Sequence, residues 1–153
     1  MNLYLVQHGE SKSKEEDPAR PLSERGAKAV RRIAAWSEGA GLTVEQIRHS
    51  GKERAAQTAE LFAERLKPAG GVTAVSGISP MDDVLPVAKA MDLEEQSIML
   101  VGHLPFLSRL ASQLLAGAPD RSLVQFRNAG IVCLCREMGR WHIHWVIVPD
   151  LLP

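Results

Sequence analysis

Two histidines close two apolar runs. Leu3-Tyr4-Leu5-Val6 ends on Gln7-His8-Gly9, and Ile98-Met99-Leu100-Val101 ends on Gly102-His103. In an α/β protein the residues just past the carboxyl ends of strands form the ligand crevice. A neutral imidazole delivered there can serve as a nucleophile or a general base. Gly9 lets the chain turn sharply after His8 and leaves room for a ligand against the main chain. Cations lie between the histidines in sequence. Arg20 precedes a helix start in Arg20-Pro21-Leu22-Ser23, and Lys52 and Arg54 stand at another in Ser50-Gly51-Lys52-Glu53-Arg54. A cation at a helix N-terminus faces the positive end of the macrodipole, which is mildly unfavourable unless an anion sits among the exposed N–H groups. Arginine's planar fork suits two-point phosphate binding. The combination points to phosphate chemistry. Taken singly, each residue has a plainer reading: a core histidine, a helix-cap histidine next to Leu104-Pro105, or a surface arginine paired with Glu53.

The elements that must position these residues follow from periodicity and punctuation. Asn2 to His8 reads as a buried strand, and the polar, proline-bearing Ser11 to Pro21 as a loop. Ser23 is the N-cap of a helix to about Gly39, with Ala27, Val30, Ile33, Ala34 and Trp36 on its apolar face. Val44 to His49 is a weak strand. Lys52 to Lys67 is a helix stopped by Pro68, with Ala55, Ala59, Phe62, Ala63 and Leu66 at helical spacing. Val72 to Val75 is a short strand, and Ser79 to Asp83 a loop. A short helix follows to about Met91, with Pro86 in its first turn. Ser97 to Val101 is the second buried strand, and Leu104 to Leu115 a helix with Pro105 in its first turn. Gly130 to Glu137 and Trp141 to Val148 form a hairpin around Met138-Gly139-Arg140. Alternating strands and helices predict a largely parallel sheet covered on both faces, with an antiparallel portion near the C-terminus.

Composition bounds the function classes. The chain has 153 residues, 45% hydrophobic and 24% charged, which fits one soluble domain with a real core. Lys+Arg and Asp+Glu are 18 each, so the formal net charge is zero. A nucleic-acid or anionic-membrane surface needs excess positive charge, and one Tyr with few other aromatics gives no platform for stacking bases. No apolar run approaches the roughly 20 residues of a membrane span, and no charged region followed by an apolar stretch marks the N-terminus. Cys133 and Cys135 alternate on an apolar run and are expected to be buried thiols in a reducing cytoplasm. His142 and His144 alternate on a strand as a solvated face without a third ligand. His49 has no obvious partner, and Asn128-Ala129-Gly130 is expected to turn near the site.

The order of the motifs resembles the histidine phosphatase superfamily. The pieces are Leu3-Tyr4-Leu5-Val6-Gln7-His8-Gly9-Glu10, Arg20-Pro21-Leu22-Ser23, the Ser50 to Thr58 run Ser-Gly-Lys-Glu-Arg-Ala-Ala-Gln-Thr, and Val101-Gly102-His103-Leu104-Pro105. The resemblance runs from Asn2 to about Ile131 and, within the superfamily, is similar to the small SixA-type phosphohistidine phosphatases. It implies a phosphoglycerate mutase-like α/β fold, a three-layer α/β/α sandwich with a mostly parallel central sheet. One histidine phosphatase domain over residues 1–153 is expected. The short distance from His8 to His103 leaves no room for a large lid insertion.

By the same resemblance, His8 is the nucleophile, His103 stabilises the transferring phosphoryl charge, and Arg20 and Arg54 form the clamp. Gln7, Gly9, Arg20, Arg54 and His103 contact the substrate. The general acid is sought at Asp82 or Asp83, with Glu10 a poorer candidate. No metal or other cofactor is expected, because the side chains supply the positive charge. The substrate implied is a phosphorylated histidine of a partner protein, such as a phosphotransfer domain. Its phosphoramidate leaving group needs less acid help than a poor alkoxide. A small-molecule phosphomonoester phosphatase is a second reading. A phospho-binding module without turnover is a third, because Gln7 stands where the superfamily begins Arg-His-Gly. Glutamine offers phosphate one hydrogen bond but no charge and no fork.

Overall fold

The N-terminal apolar run becomes strand β1 (Asn2–Gln7), and helices and strands alternate after it. They are α1 (Glu24–Gly39), β2 (Gln46–His49), α2 (Glu53–Leu66), β3 (Val72–Ala74), α3 (Leu85–Leu93), β4 (Ile98–Gly102), α4 (Phe106–Ala116), β5 (Ile131–Glu137) and β6 (Arg140–Ile147). A single 3-10 turn, Pro149–Leu151, follows. The structure is a computed structural model and describes residues 1–153. The strands form one sheet in the order β3-β2-β4-β1-β5-β6. β3, β2, β4 and β1 run parallel, and β5 and β6 are antiparallel additions on the far side of β1.

Both faces of the sheet are covered, which is why its central strands read as unbroken apolar runs. Side chains alternate across each strand. Leu3, Leu5, Ile98, Leu100, Val132 and Leu134 pack with Met91 of α3 and Phe106, Leu107 and Leu110 of α4. Tyr4, Val6, Met99, Val101, Ile131 and Cys133 pack on the other face with Val30 and Ile33 of α1 and Ala59 and Phe62 of α2. This is the three-layer α/β/α sandwich. Helix starts follow local chemistry: the Ser23 Oγ accepts from the Gly26 N–H at 3.0 Å and caps α1.

Some local expectations need correction. α4 begins at Phe106, so Pro105 is its N-cap residue and not part of its first turn. Cys133 is fully buried, and burial followed by the neighbouring Cys135 pushes its thiol up to about 12. Cys135 is only half-buried, because it lies toward the end of β5, outside the packed cluster that takes in Cys133. His142 and His144 are both exposed, but they do not alternate cleanly. Cys133 pairs with Trp145 and Leu134 with Ile143, so His144 is an extra residue at a bulge.

The pairing of β1 with β4 sets the site. Val6 lies opposite Val101 and Gln7 opposite Gly102, and the His8 N–H donates to the Gly102 carbonyl at 3.1 Å. The long connections 8–23 and 117–130 both gather at this end of β1, where Val6 also pairs with Ile131. The first is pressed against α1. A Cβ added to Gly26 would lie 2.0 Å from the Glu10 carbonyl oxygen, and one added to Gly9 would lie 2.7 Å from Val30 Cγ2.

Gly26→Ala is therefore expected to lower unfolding stability by about 1–3 kcal/mol, the usual cost of forcing extra volume into a packed contact. Chemical denaturation of the two proteins checks this. An unchanged midpoint would show that the backbone of residues 9–10 is not held against α1.

Candidate active site

His8 leaves β1 with its ring orientation fixed. Its Nδ1 lies 2.7 Å from the Gly9 carbonyl oxygen. A carbonyl can only accept, so Nδ1 carries the proton and Nε2 presents a lone pair. This tautomer suits a nucleophile. Burial lowers the His8 pKa below the ordinary histidine value, and the charges of Arg54 and Arg20 lower it further, against the Gly9 hydrogen bond. His8 is thus neutral at neutral pH, with its Nε2 lone pair free.

His103 leaves β4 beside it, with the two ring centroids 5.0 Å apart and the planes at 52°. His103 is 2% exposed. Its pKa is pushed down to about 3, first by burial and then by His8, Arg54, Lys52 and Arg20. Its Nε2 lies 2.6 Å from the Ser50 hydroxyl, which also accepts from the Lys52 N–H at 3.4 Å. A hydroxyl accepting from Lys52 is free to donate to Nε2, which leaves the His103 proton on Nδ1. That Nδ1 has no partner within the protein.

The arginines complete a cationic hollow. Arg54 sits in the first turn of α2, which opens on Lys52 without a side-chain cap. Burial and the charge of Arg20 push Arg54 below the usual guanidinium range. Arg20 adopts a left-handed backbone, φ 50°, rare for a residue with a side chain. It folds back over its own connection, giving Nη2–H to the Ser11 hydroxyl at 3.2 Å and Nε–H to the Lys12 carbonyl at 3.4 Å. Its charge acts on His8, His103 and Arg54 alike.

Buried polar atoms in folded proteins nearly always find a partner. Here the buried side-chain atoms without one are Gln7 Oε1, Arg54 Nε and His103 Nδ1. All three belong to residues singled out from the sequence. Arg54 Nε–H and a proton on His103 Nδ1 are donors suited to an anion's oxygens.

Other expected residues are placed differently. Gly9 has no free main-chain group for substrate, because its N–H donates to Thr58 Oγ1 at 3.0 Å and its carbonyl accepts from His8. The space beside it is filled by Val30 and Leu22, so glycine is needed there for packing. Asp82 is half-buried, and its Oδ2 accepts from the Ser79 N–H at 2.8 Å. It shares a groove of about 730 Å³ with Ser50, the partner of His103. Asp83 accepts from the Leu85 N–H at the start of α3, and Glu10 accepts from Ser23 Oγ. The Asn128 turn does reach the site: Asn128 Nδ2–H donates to the His8 carbonyl at 2.8 Å, and the Ala129 N–H to the Gln7 carbonyl at 2.9 Å. His49 accepts from the Gly51 N–H through Nδ1 at 3.0 Å.

Sequence reasoning missed Ser50 and Thr58. Thr58 donates to the Arg54 carbonyl at 2.8 Å while accepting from Gly9, so it ties the His8 turn to the helix that carries Arg54. Its position one turn after Arg54 is the signal that could have found it. Ser50 is the last residue before the turn into α2, a place that only the β2–β4 pairing brings to His103.

Known proteins share this fold. The profile of the Histidine phosphatase superfamily (branch 1) matches residues 3–76. An uncharacterised protein of Picosynechococcus sp. is 29% identical over 158 residues, covering 94% of this chain and 90% of its own. The solved structure of the protein histidine phosphatase SixA complexed with tungstate superposes with a TM-score of 0.85 at 24% identity, over 98% of each chain. Phosphoserine phosphatase from Entamoeba histolytica in complex with 3-phosphoglyceric acid superposes with a TM-score of 0.74 at 17% identity, over 95% of each. Residues 3–76 are thus similar to the histidine phosphatase superfamily, and the fold is the phosphoglycerate mutase-like one without a lid insertion.

An oxyanion held between the histidines should stabilise their protonated forms. In an NMR titration of the free protein, both His8 and His103 are expected to titrate below 6.5, His103 much the lower. Adding tungstate or inorganic phosphate is expected to raise both midpoints. Midpoints that stay put on saturation would place the anion elsewhere.

Proposed function

We propose that this protein is a metal-independent phosphatase that hydrolyses a phosphohistidine of a partner protein through a covalent intermediate on His8. The observation that carries the reading is the pair of buried, unpartnered nitrogens, Arg54 Nε and His103 Nδ1, beside a histidine whose Nε2 lone pair is free. The tungstate complex of the SixA neighbour supports it, since tungstate is a tetrahedral oxyanion like phosphate.

The geometry supports the following steps. Arg54, Arg20 and His103 draw the phosphoryl oxygens into the hollow. His8 Nε2 attacks phosphorus, and the bond from phosphorus to the substrate nitrogen breaks. The leaving imidazole takes its proton from Asp82, the acid candidate that lines the same groove as Ser50, and Asp82 recovers a proton from the water that attacks in the next step. Water then attacks phosphorus, the bond to His8 breaks, and inorganic phosphate leaves. Fixed cations in a partly dry site stabilise the loose transition state more than they would in water. His103 is neutral before substrate arrives and gains from the proton-stabilising phosphoryl charge.

A phosphoramidate is favoured over an alkyl phosphate because all three acid candidates are already engaged with N–H or O–H groups. The Entamoeba histolytica neighbour is a phosphoserine phosphatase, so the same fold also serves small phosphoesters.

Labelling tests the mechanism. Quenching turnover at alkaline pH, with a chelator present throughout, is expected to trap an acid-labile phosphoprotein, and His8→Ala is expected to abolish both label and activity. Label on Asp or Ser, full activity in His8→Ala, or activity that vanishes with the chelator and returns with magnesium would each overturn part of it.

Gln7 decides between an enzyme and a binding module. Arginine at this position would add a charged, two-point contact, and charge-assisted hydrogen bonds are roughly twice as strong as neutral ones. Gln7→Arg is expected to raise kcat/KM and to tighten inorganic phosphate, because the contact strengthens as charge develops on the phosphoryl oxygens. High wild-type turnover that falls in the variant would show that Gln7 is tuned to this site. Absent turnover in both would favour the module.

A further inference from the structure

Next to the His8 turn lies a second hollow, of about 370 Å³, that the chemistry above does not use. Its floor is the small-residue stripe Gly26 and Ala29 of α1. Arg25, Lys28 and Arg32 flank that stripe at helical spacing, and Arg127 closes the hollow from the connection into β5. Arg32 is already committed, giving Nη2–H to the carbonyls of Leu152 and Pro153 at 2.8 and 2.9 Å. Arg25, Lys28 and Arg127 take part in none of the protein's ion pairs, and Arg127 makes one long bond, from Nη1–H to the Phe126 carbonyl at 3.4 Å. In a chain of zero net charge, this is a local excess of free cations.

The hollow borders the turn that carries His8. Glu10, two residues past His8, lines it, and so does Asn128, whose side chain holds the His8 carbonyl. The groove on the Ser50 side of the site has the opposite character, with Asp82 and Asp83 and no Lys or Arg in its lining. The site therefore lies between a basic and an acidic flank.

We propose that the basic hollow is a docking surface for an acidic segment of the phosphorylated partner protein, adjacent to its phosphohistidine; this rests on the phosphohistidine phosphatase reading. Charge complementarity of this kind speeds encounter and fixes orientation more than it adds raw affinity. The acidic flank rejects the reversed orientation. A polypeptide fits the lining better than a nucleic acid does, because Glu10 and Asp150 can accept from peptide N–H groups and no aromatic side chain is there to stack a base.

Two synthetic phosphohistidine peptides test this, identical except that one carries Asp and Glu beside the phosphohistidine where the other carries Asn and Gln. p-Nitrophenyl phosphate serves as the small substrate. Wild type is compared with Arg25→Glu/Lys28→Glu, and with Arg31→Glu/Arg140→Glu as a charge-matched change on other exposed surfaces. Wild type is expected to prefer the acidic peptide by about tenfold in kcat/KM, through KM. Arg25→Glu/Lys28→Glu is expected to lose that preference and to keep its p-nitrophenyl phosphate activity, while the charge-matched control keeps both. A preference absent in wild type, retained in Arg25→Glu/Lys28→Glu, or lost together with p-nitrophenyl phosphate activity overturns the proposal. Fluorescence anisotropy of the labelled, unphosphorylated peptides gives a readout independent of turnover. If wild type hydrolyses neither phosphopeptide, the phosphatase reading fails by itself. Tighter binding of the acidic peptide, lost in Arg25→Glu/Lys28→Glu, would then still uphold docking. Equal binding of the two peptides, or tighter binding of a single-stranded oligonucleotide than of the acidic peptide, would overturn it.

Discussion

The arrangement depends on one strand pairing. β1 and β4 lie side by side and parallel, with Gln7 level with Gly102 and the His8 N–H on the Gly102 carbonyl. A shift of one residue would turn each side chain to the other face of the sheet. The register is strongly specified because both faces are packed: Leu3 and Leu5 must meet α3 and α4, and Tyr4 and Val6 must meet α1 and α2. The burial of ordinary aliphatic side chains thus fixes where two imidazoles stand, with ring centroids 5.0 Å apart. The core does positional work for the site without touching any ligand.

Desolvation then gives those imidazoles their character. For both His8 and His103, burial is the largest influence on the proton, ahead of any neighbouring charge. A histidine in water would be partly protonated near neutrality, and a protonated one cannot attack phosphorus. Placing neutral histidines among Arg20, Arg54 and Lys52 gives a hollow whose positive charge is fixed on groups that keep it. Such a hollow favours an anion and leaves the His8 Nε2 lone pair free. The cost is carried by groups such as Arg54, half-buried and close to another cation, whose guanidinium is pushed below its usual range.

Hydrogen bonds from outside the site hold this constellation in place. Thr58 joins the Gly9 N–H to the Arg54 carbonyl, and Gln57 accepts from the Leu22 N–H at 2.7 Å, so consecutive residues of α2 grip both ends of the connection that carries Arg20. Asn128 holds the His8 carbonyl from the opposite side. Gly9 and Gly26 let the connection lie directly on α1. Positioning of this kind matters in phosphoryl transfer, where in-line geometry and fixed charge supply most of the rate.

Much of this was legible in the chain itself. The apolar runs at Leu3 to Val6 and Ile98 to Val101, the Ser23 cap, the helical spacing from Ala55 to Leu66 and the stop at Pro68 are local signals, set by side-chain chemistry within a few residues. They determined the alternation of strands and helices, and with it the kind of sheet and the crevice to which His8 and His103 belong. Tertiary structure decided what depends on residues far apart in the chain. Only strand pairing brings Ser50 to His103 and Thr58 to Gly9. Only the packed position of α1 reveals that Gly9 makes room for Val30 and not for a ligand. Only the turn geometry that sets the Gly9 carbonyl 2.7 Å from Nδ1 selects the His8 tautomer. The bulge at His144 and the partial exposure of Cys135 follow from where strands and helices end against one another. Local propensity is a property of a short window of sequence, whereas a hydrogen bond or a burial cost at a site belongs to whichever distant groups the fold places there.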